Sequence, residues 1–322
     1  MPTDHLTTTS PHQVAAGVLA VLTGADLEAT AAGSGLDAAD LREALHVYQA
    51  AGLAALDRRA EHDWYQVRVQ FPDWSIAETV AATQLRPRLD QLQAGGSVAG
   101  WWFLRKHPCW RLRLHGADIA AVDQMLEELT DAGILSRWWP TVYEPEFAAF
   151  GGLAGMHAAH DLFTADARGV LDYARHDAPG LGRRELSILL ISGLLCAAGL
   201  DWFERGDVFD RVARLRPAPA DADTARIEQL ADNVRTLLAI PDLPDSALFA
   251  PGGPIAHAAP WLAAFETAGC QLADAATQGR LDRGLRAVCT HIVISHWNRF
   301  GLSALTQAIL ARATTTALLP QS

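Results

Sequence analysis

Two arginines at period two, Arg111 and Arg113, follow an apolar run from Trp101 to Leu104 and a break at Pro108. On a β-strand, residues i and i+2 share a face, so both guanidiniums would lie on one surface. Arginine keeps its charge, and its fork matches a carboxylate or a phosphate. Two forks side by side suit a pocket for an anionic group. A solvated strand face with salt-bridged arginines is the plainer alternative.

Three further clusters hold groups capable of chemistry. Tyr143-Glu144-Pro145-Glu146 is followed by Phe150-Gly151-Gly152, a pattern that predicts a shaped loop presenting carboxylates, or simply a turn with acids in solvent. His157 and His160 lie one helical turn apart. They lack a further ligand at metal spacing and the His-Glu-x-x-His pattern is absent, so no metal is expected. His291 and then Ser295-His296-Trp297-Asn298-Arg299 place imidazole, amide and guanidinium inside an apolar helix. Burying such groups unpaired is costly, so they either satisfy one another or line a cavity. A histidine there can serve as general acid or base.

The elements that must position these groups follow from periodicity. Residues 13–60 read as a small helical unit. Val14, Val18, Leu19, Val21 and Leu22 mark its first helix. Asp26 caps a short second one, and Asp37 caps a third carrying Leu41, Leu45 and Tyr48 up to Gly52. That outline is helix-turn-helix or winged-helix-like. The third helix is too acidic to read DNA, and a peptide or protein contact is expected instead.

Residues 64–71 alternate as a strand, with Tyr65, Val67, Val69 and Phe71 on one side and Gln66, Arg68 and Gln70 on the other. Ser75 is placed as the cap of a helix reaching about Gln93. Strands at 99–105 and 110–114, a helix at 117–132 and a strand at 135–143 complete an α+β layer, a sheet covered by helices. Beyond Met156 the pattern turns helical, over 153–175, 184–200, 202–215, 224–239, 256–278 and 280–312. The division is therefore 1–60 and 61–322, with a mainly helical C-terminal half.

Bulk properties narrow the class. The 322 residues are half hydrophobic and one fifth charged, with a net charge of −11, the profile of a globular protein that is not a nucleic-acid binder. No uninterrupted apolar stretch reaches membrane-span length, and Met1 to His12 lacks the regions of a signal peptide. Four scattered cysteines without Cys-x-x-Cys spacing predict neither a disulfide framework nor a metal knuckle, and a cytoplasmic setting. Nucleotide-binding glycine loops and the Gly-x-Ser-x-Gly elbow are absent, and no cofactor is expected.

Four motifs in order, Trp102-Phe103 with Arg105 and Arg111-x-Arg113, Tyr143-Glu144-x-Glu146 with Phe150-Gly151-Gly152, Leu162-Phe163-x-x-Asp166, and His296-x-Asn298-Arg299-x-Gly301, resemble the C-terminal domain of class I lanthipeptide dehydratases. That domain also occurs as a free-standing thiopeptide-type bacteriocin biosynthesis protein. The resemblance runs from about Trp64 to Leu310. It implies a lyase acting on a ribosomally made precursor peptide. After a partner subunit has joined glutamate to Ser or Thr, β-elimination of glutamate leaves dehydroalanine or dehydrobutyrine. The alternative chemistry is a [4+2] aza-cycloaddition that builds a pyridine with loss of the leader peptide. A non-catalytic leader-binding partner is the further alternative.

By the same resemblance Arg111 and Arg113 grip the glutamyl group and His296 handles the proton. Trp102, Arg105, Glu144, Asn298 and Arg299 are the implied substrate-binding residues. The expected partners are the precursor peptide and a glutamylating subunit; neither membrane nor DNA is expected, and a homodimer is left open. One departure stands out. Elimination-competent members usually carry an arginine just before the aromatic-Gly-Gly, where this chain has Ala149. Arg105 is the candidate to replace it.

Overall fold

The computed structural model describes residues 10–61, 63–176, 180–219 and 223–319. The chain divides into two compact units at His62/Asp63. The first contains α1 (Pro11–Leu22), α2 (Leu27–Ser34) and α3 (Ala38–Glu61). The Asp26 carboxylate accepts from Ala29 N at 2.9 Å to start α2, and Gly35 ends it in the left-handed region. Val18, Ala31 and Leu41 form a core of their own. The third helix does not stop at Gly52 but runs on to Glu61; one glycine lowers helix propensity without removing a hydrogen bond. The described residues of this unit contain no strand, so the three helices have no wing. Tyr48, expected inward, is exposed.

The second unit opens with β1 (Trp64–Gln70), then α4 (Ala77–Val80), a π turn (Ala81–Leu85) and α5 (Arg86–Ala94). Ser75 does not cap this stretch. Its backbone and hydroxyl both bond to Asp73, at 2.8 and 2.7 Å. The π turn ends two residues before Pro87, a residue that cannot supply a backbone donor. There follow β2 (Gly100–Lys106), β3 (Cys109–His115), α6 (Ile119–Asp131), β4 (Arg137–Thr141), α7 (Phe147–Phe150) and α8 (Gly152–Tyr173). The rest is helical: α9 (Arg183–Ala197), α10 (Trp202–Leu215), α11 (Thr224–Leu238), α12 (Ala259–Thr277), α13 (Leu285–Arg299) and α14 (Ala304–Leu318). The single helix expected over 280–312 is two. Gly301 takes a left-handed conformation (φ 78°), and the Ser303 hydroxyl then caps α14 by accepting from Thr306 N.

The strands form one antiparallel sheet in the order β2-β3-β1-β4. Val67, Val69, Trp101, Phe103, Trp110, Leu112 and Leu114 occupy one face and are all buried. That is the side covered by α6, where Tyr65 donates to Asp123 at 2.7 Å. The opposite face carries Gln66 and Arg68 on β1, Arg111 and Arg113 on β3, and Trp102 and Leu104 on β2. The outer edge of β2 is covered by α8 and α13, and Arg299 of α13 donates from Nε to the Phe103 carbonyl at 3.0 Å. This docking joins the helical half to the sheet and fixes the site. Among the described residues no helix is long and apolar enough to cross a membrane.

Candidate functional site

The helical side of the site is built on Asp166. It sits in the apolar stripe of α8 between Phe163 and Val170 and is fully buried. Its Oδ1 accepts from Trp261 Nε1 at 2.9 Å and from His296 Nδ1 at 2.8 Å, and its Oδ2 is ion-paired with Arg299 Nη1. Burial opposes ionisation of this carboxyl. The His296 and Arg299 charges beside it prevail and hold it below the usual carboxylate range. Burial pushes Arg299 down, with Asp166 opposing. Asp166 thus holds Arg299 in place, and Arg299 in turn holds the edge of β2.

A cavity of about 40 Å³ lies where the sheet meets these helices. Its walls include Trp102, Arg113, Tyr143, Glu146, Ser295 and Arg299. The Arg113 guanidinium lies 4.2 Å from the Trp102 ring centre and 4.4 Å from that of Tyr143. Its Nε donates to Gln66 at 2.7 Å. Gln66 is itself fixed by donating to Thr141 Oγ1 and the Val142 carbonyl, both at 2.8 Å. Burial pushes Arg113 down to about 10; Tyr143 opposes that shift, and Arg111 and Arg299 add to it. Two donors of the cavity walls, Trp102 Nε1 and Arg299 Nη2, are buried without a hydrogen-bond partner. A buried donor left unpaired is costly.

Tyr143 is anchored from behind, its hydroxyl 2.7 Å from His160 Nε2. Burial pushes His160 down to about 3, with the His157, Arg113 and His115 charges adding, so the ring is neutral. His160 therefore belongs to the frame of the cavity. Among the described residues no group of three or more His, Cys, Asp or Glu side chains could hold a metal ion.

The structure brings together some of the residues expected from sequence and separates others. Arg113, Trp102 and Arg299 line one cavity. Arg111 shares their sheet face, two residues from Arg113 along β3. His296 does not line the cavity. It is buried with Nδ1 on Asp166 and Nε2 unpartnered, among the rings of Trp261, Phe265 and Phe300. Asn298 faces α14, accepting from Gln307 at 3.0 Å. Glu144 and Glu146 are both exposed, and of the two it is Glu146 that reaches the cavity lining.

Arg105 points to the opposite face of the sheet from Arg113 because the two occupy opposite phases of the β2–β3 ladder. It pairs with Glu78, which also accepts from Arg183 at 2.7 Å. It cannot stand in for an arginine at Ala149 without leaving that pair. The third sequence motif contains Asp166 but assigned it no place in the site, and Arg68 was not read as a site residue at all. Arg68 sits on the polar side of the first strand's alternation and is directly opposite Arg111.

The family model for the C-terminal region of lantibiotic biosynthesis dehydratases matches residues 64–318. The chain belongs to this family. The tRNA-dependent lantibiotic dehydratase MibB from Microbispora sp. 107891 has a similar structure, with 17% identity and a TM-score of 0.57 over 79% of this chain and 28% of MibB. TsrL matches at 16% identity and TM-score 0.56, over 80% of this chain and 99% of its own. TbtD, a pyridine synthase from thiomuracin biosynthesis, matches at 13% and 0.53, over 80% and 97%. At such identities the likeness is one of fold. Among curated proteins no relative matches.

Proposed function

We propose that this protein removes glutamate from glutamylated Ser or Thr of a ribosomally made precursor peptide. One observation supports this above the others: Arg113 and Arg299 line one cavity, and a donor of Trp102 and a donor of Arg299, both residues of its lining, are buried and unpaired. Such a wall suits an acceptor that gains negative charge. In the elimination a base takes the α-proton, and the C–H electron pair becomes the Cα=Cβ bond. The Cβ–O bond breaks, and its pair leaves on the carboxylate of glutamate. Arg113 and Arg299 stabilise that carboxylate, with Arg111 beside them. The Glu146 carboxylate at the cavity wall takes the proton. His296 is a positioning residue, because it acts on the cavity through Asp166 and Arg299.

The test is incubation of the pure protein with a glutamylated precursor peptide, read by mass spectrometry. Loss of glutamic acid from the peptide is the expected result, abolished in Arg113→Gln. An unchanged wild-type mass overturns the reading. A second reading, cycloaddition to a pyridine, is favoured by Ala149, which packs half-buried against the core where an arginine would stand in elimination-competent relatives. A peptide already bearing dehydroalanines and azoles would then gain a pyridine chromophore and lose its leader. The N-terminal helices are assigned to contact with the leader or a partner subunit. Their deletion is expected to weaken binding of precursor while sparing turnover of saturating peptide.

A further inference from the structure

A second ionic knot lies under the end of α13, on the far face of the sheet from the cavity. The Glu78 carboxylate of α4 pairs with Arg105 of β2. It also accepts twice from Arg183 of α9, Nη2 to Oε2 at 2.7 Å and Nη1 to Oε1 at 3.0 Å. Arg183 Nη1 in turn donates to the Phe300 carbonyl at 2.7 Å, and its guanidinium lies 5.1 Å from the Phe300 ring centre. Phe300 caps α13 and directly follows Arg299. A Cβ at Gly301 would lie 2.9 Å from Arg105 Nη1, so the turn after α13 rests on this knot. The Glu78 side chain is only 18% exposed. Burial opposes its ionisation, and Arg105 and Arg183 prevail, holding it below the usual carboxylate range.

Three guanidiniums, Arg105, Arg183 and Arg299, therefore meet around one helix end and share two carboxylates, Glu78 and Asp166. Burial pushes Arg105 down and Glu78 opposes, while the Arg183 and Arg299 charges add to the push, so the cations feel one another. Asp166 fixes the guanidinium end of Arg299. Arg183 fixes the other end, the backbone from which that side chain springs. With both ends held, Arg299 Nη2 stays aimed where no protein acceptor meets it.

We propose that Glu78, which lies outside the cavity lining, is a positioning residue for Arg299, acting through Arg183 and the Phe300 carbonyl. Its effect on turnover rests on the elimination reading, in which Arg299 stabilises the departing carboxylate. A misplacement of about 1 Å caused by a change outside the chemistry can cost about 10²-fold in rate. Glu78 neutralised leaves three cations on one carboxylate, and the helix end is then free to shift.

The experiment uses the full chain and two readouts. The first needs no reaction: water exchange of the Arg299 Nε–H, which donates to the Phe103 carbonyl, followed in nitrogen–proton correlation spectra. Glu78→Gln and Arg183→Gln are each expected to speed this exchange at least about 10-fold, the scale of one lost hydrogen bond. Glu78→Asp, which keeps the charge, restores most of the protection. Arg86→Gln, which breaks a comparably enclosed pairing with Asp172 and Asp90, leaves it unchanged. The second readout is elimination from a glutamylated precursor peptide. Both Gln variants are expected to lose about 10–10²-fold in kcat with KM within about 2-fold, because the contact is made to charge that develops in the transition state. The double variant loses no more than either single one, since both lie on one path.

Arg183 is the more exposed end of the knot, at 31%, so Arg183→Gln alone decides if Glu78→Gln does not fold. Unchanged exchange in Arg183→Gln overturns the proposal, as does equal loosening in Arg86→Gln or a kcat that survives faster exchange. Faster exchange in the Gln variants, with the ester returned intact by the wild type, upholds the positioning of Arg299 and overturns elimination.

Discussion

Arg299 lies fully buried against Asp166, its charge answered by a carboxylate and its Nε by a backbone carbonyl. Arg111 lies half-buried beside Arg68, with no acid paired to either among the described residues. The same side chain is used in opposite ways some residues apart on one site. In the buried knot, desolvation is offset by a partner inside the protein, and breaking the pair would leave an unanswered charge. Arg113 stands between the two: enclosed by Trp102 and Tyr143, tied by one bond to Gln66, and free to accept an anion on its remaining donors.

The contrast is broken most severely at Asp166. Asp166→Ala leaves Arg299 and His296 buried without their carboxylate and is expected to destabilise the protein by about 3–5 kcal/mol in urea unfolding. A loss under about 1 kcal/mol would show that the knot does not hold the fold. Arg113→Gln should act on turnover instead. About 10²–10³-fold of elimination rate is expected to vanish, while the unfolding midpoint moves little compared with Asp166→Ala. A midpoint shift as large as that of Asp166→Ala would place Arg113 with the structural arginines.

Gly169→Ala tests the knot from behind, because a Cβ there would lie 2.2 Å from the Trp261 ring, whose Nε1 binds Asp166. Its cost should be about 1–3 kcal/mol, with Trp fluorescence altered; unchanged stability and fluorescence would remove Trp261 from the knot.

The smallest effect separates frame from surface by pH. His160 is held neutral down to about pH 3 when folded, against an ordinary value of 6.5. The unfolded chain takes up a proton there that the folded chain refuses. Stability from this group is therefore complete above about pH 6.5 and lost as pH falls toward 3. His160→Gln should flatten thermal stability across that window; an unchanged slope would mean that the ring is not enclosed.

Much of this was legible in the sequence. The alternation of β1 and the Arg111/Arg113 phase both read directly, because side-chain direction follows from the period of a single element. The break between α13 and α14 was overrun because Gly301 and Ser303 are short signals inside a long apolar pattern. The placement of Arg105 was misjudged for a different reason. It is near Arg111 in sequence, but an odd residue offset across the hairpin puts it on the far face, where Glu78 receives it.

The sequence by itself determined an α+β chain of this family, which residues carry charge, and which of them share a strand face, since these depend on composition and local period. Only the tertiary structure decided which charges are answered. Asp166 meets His296 and Arg299 across 130 and 133 residues, and Arg68 meets Arg111 across a strand pairing. Whether a guanidinium is part of the frame or open to a ligand depends on the acid beside it in space, and spacing along the chain does not encode that.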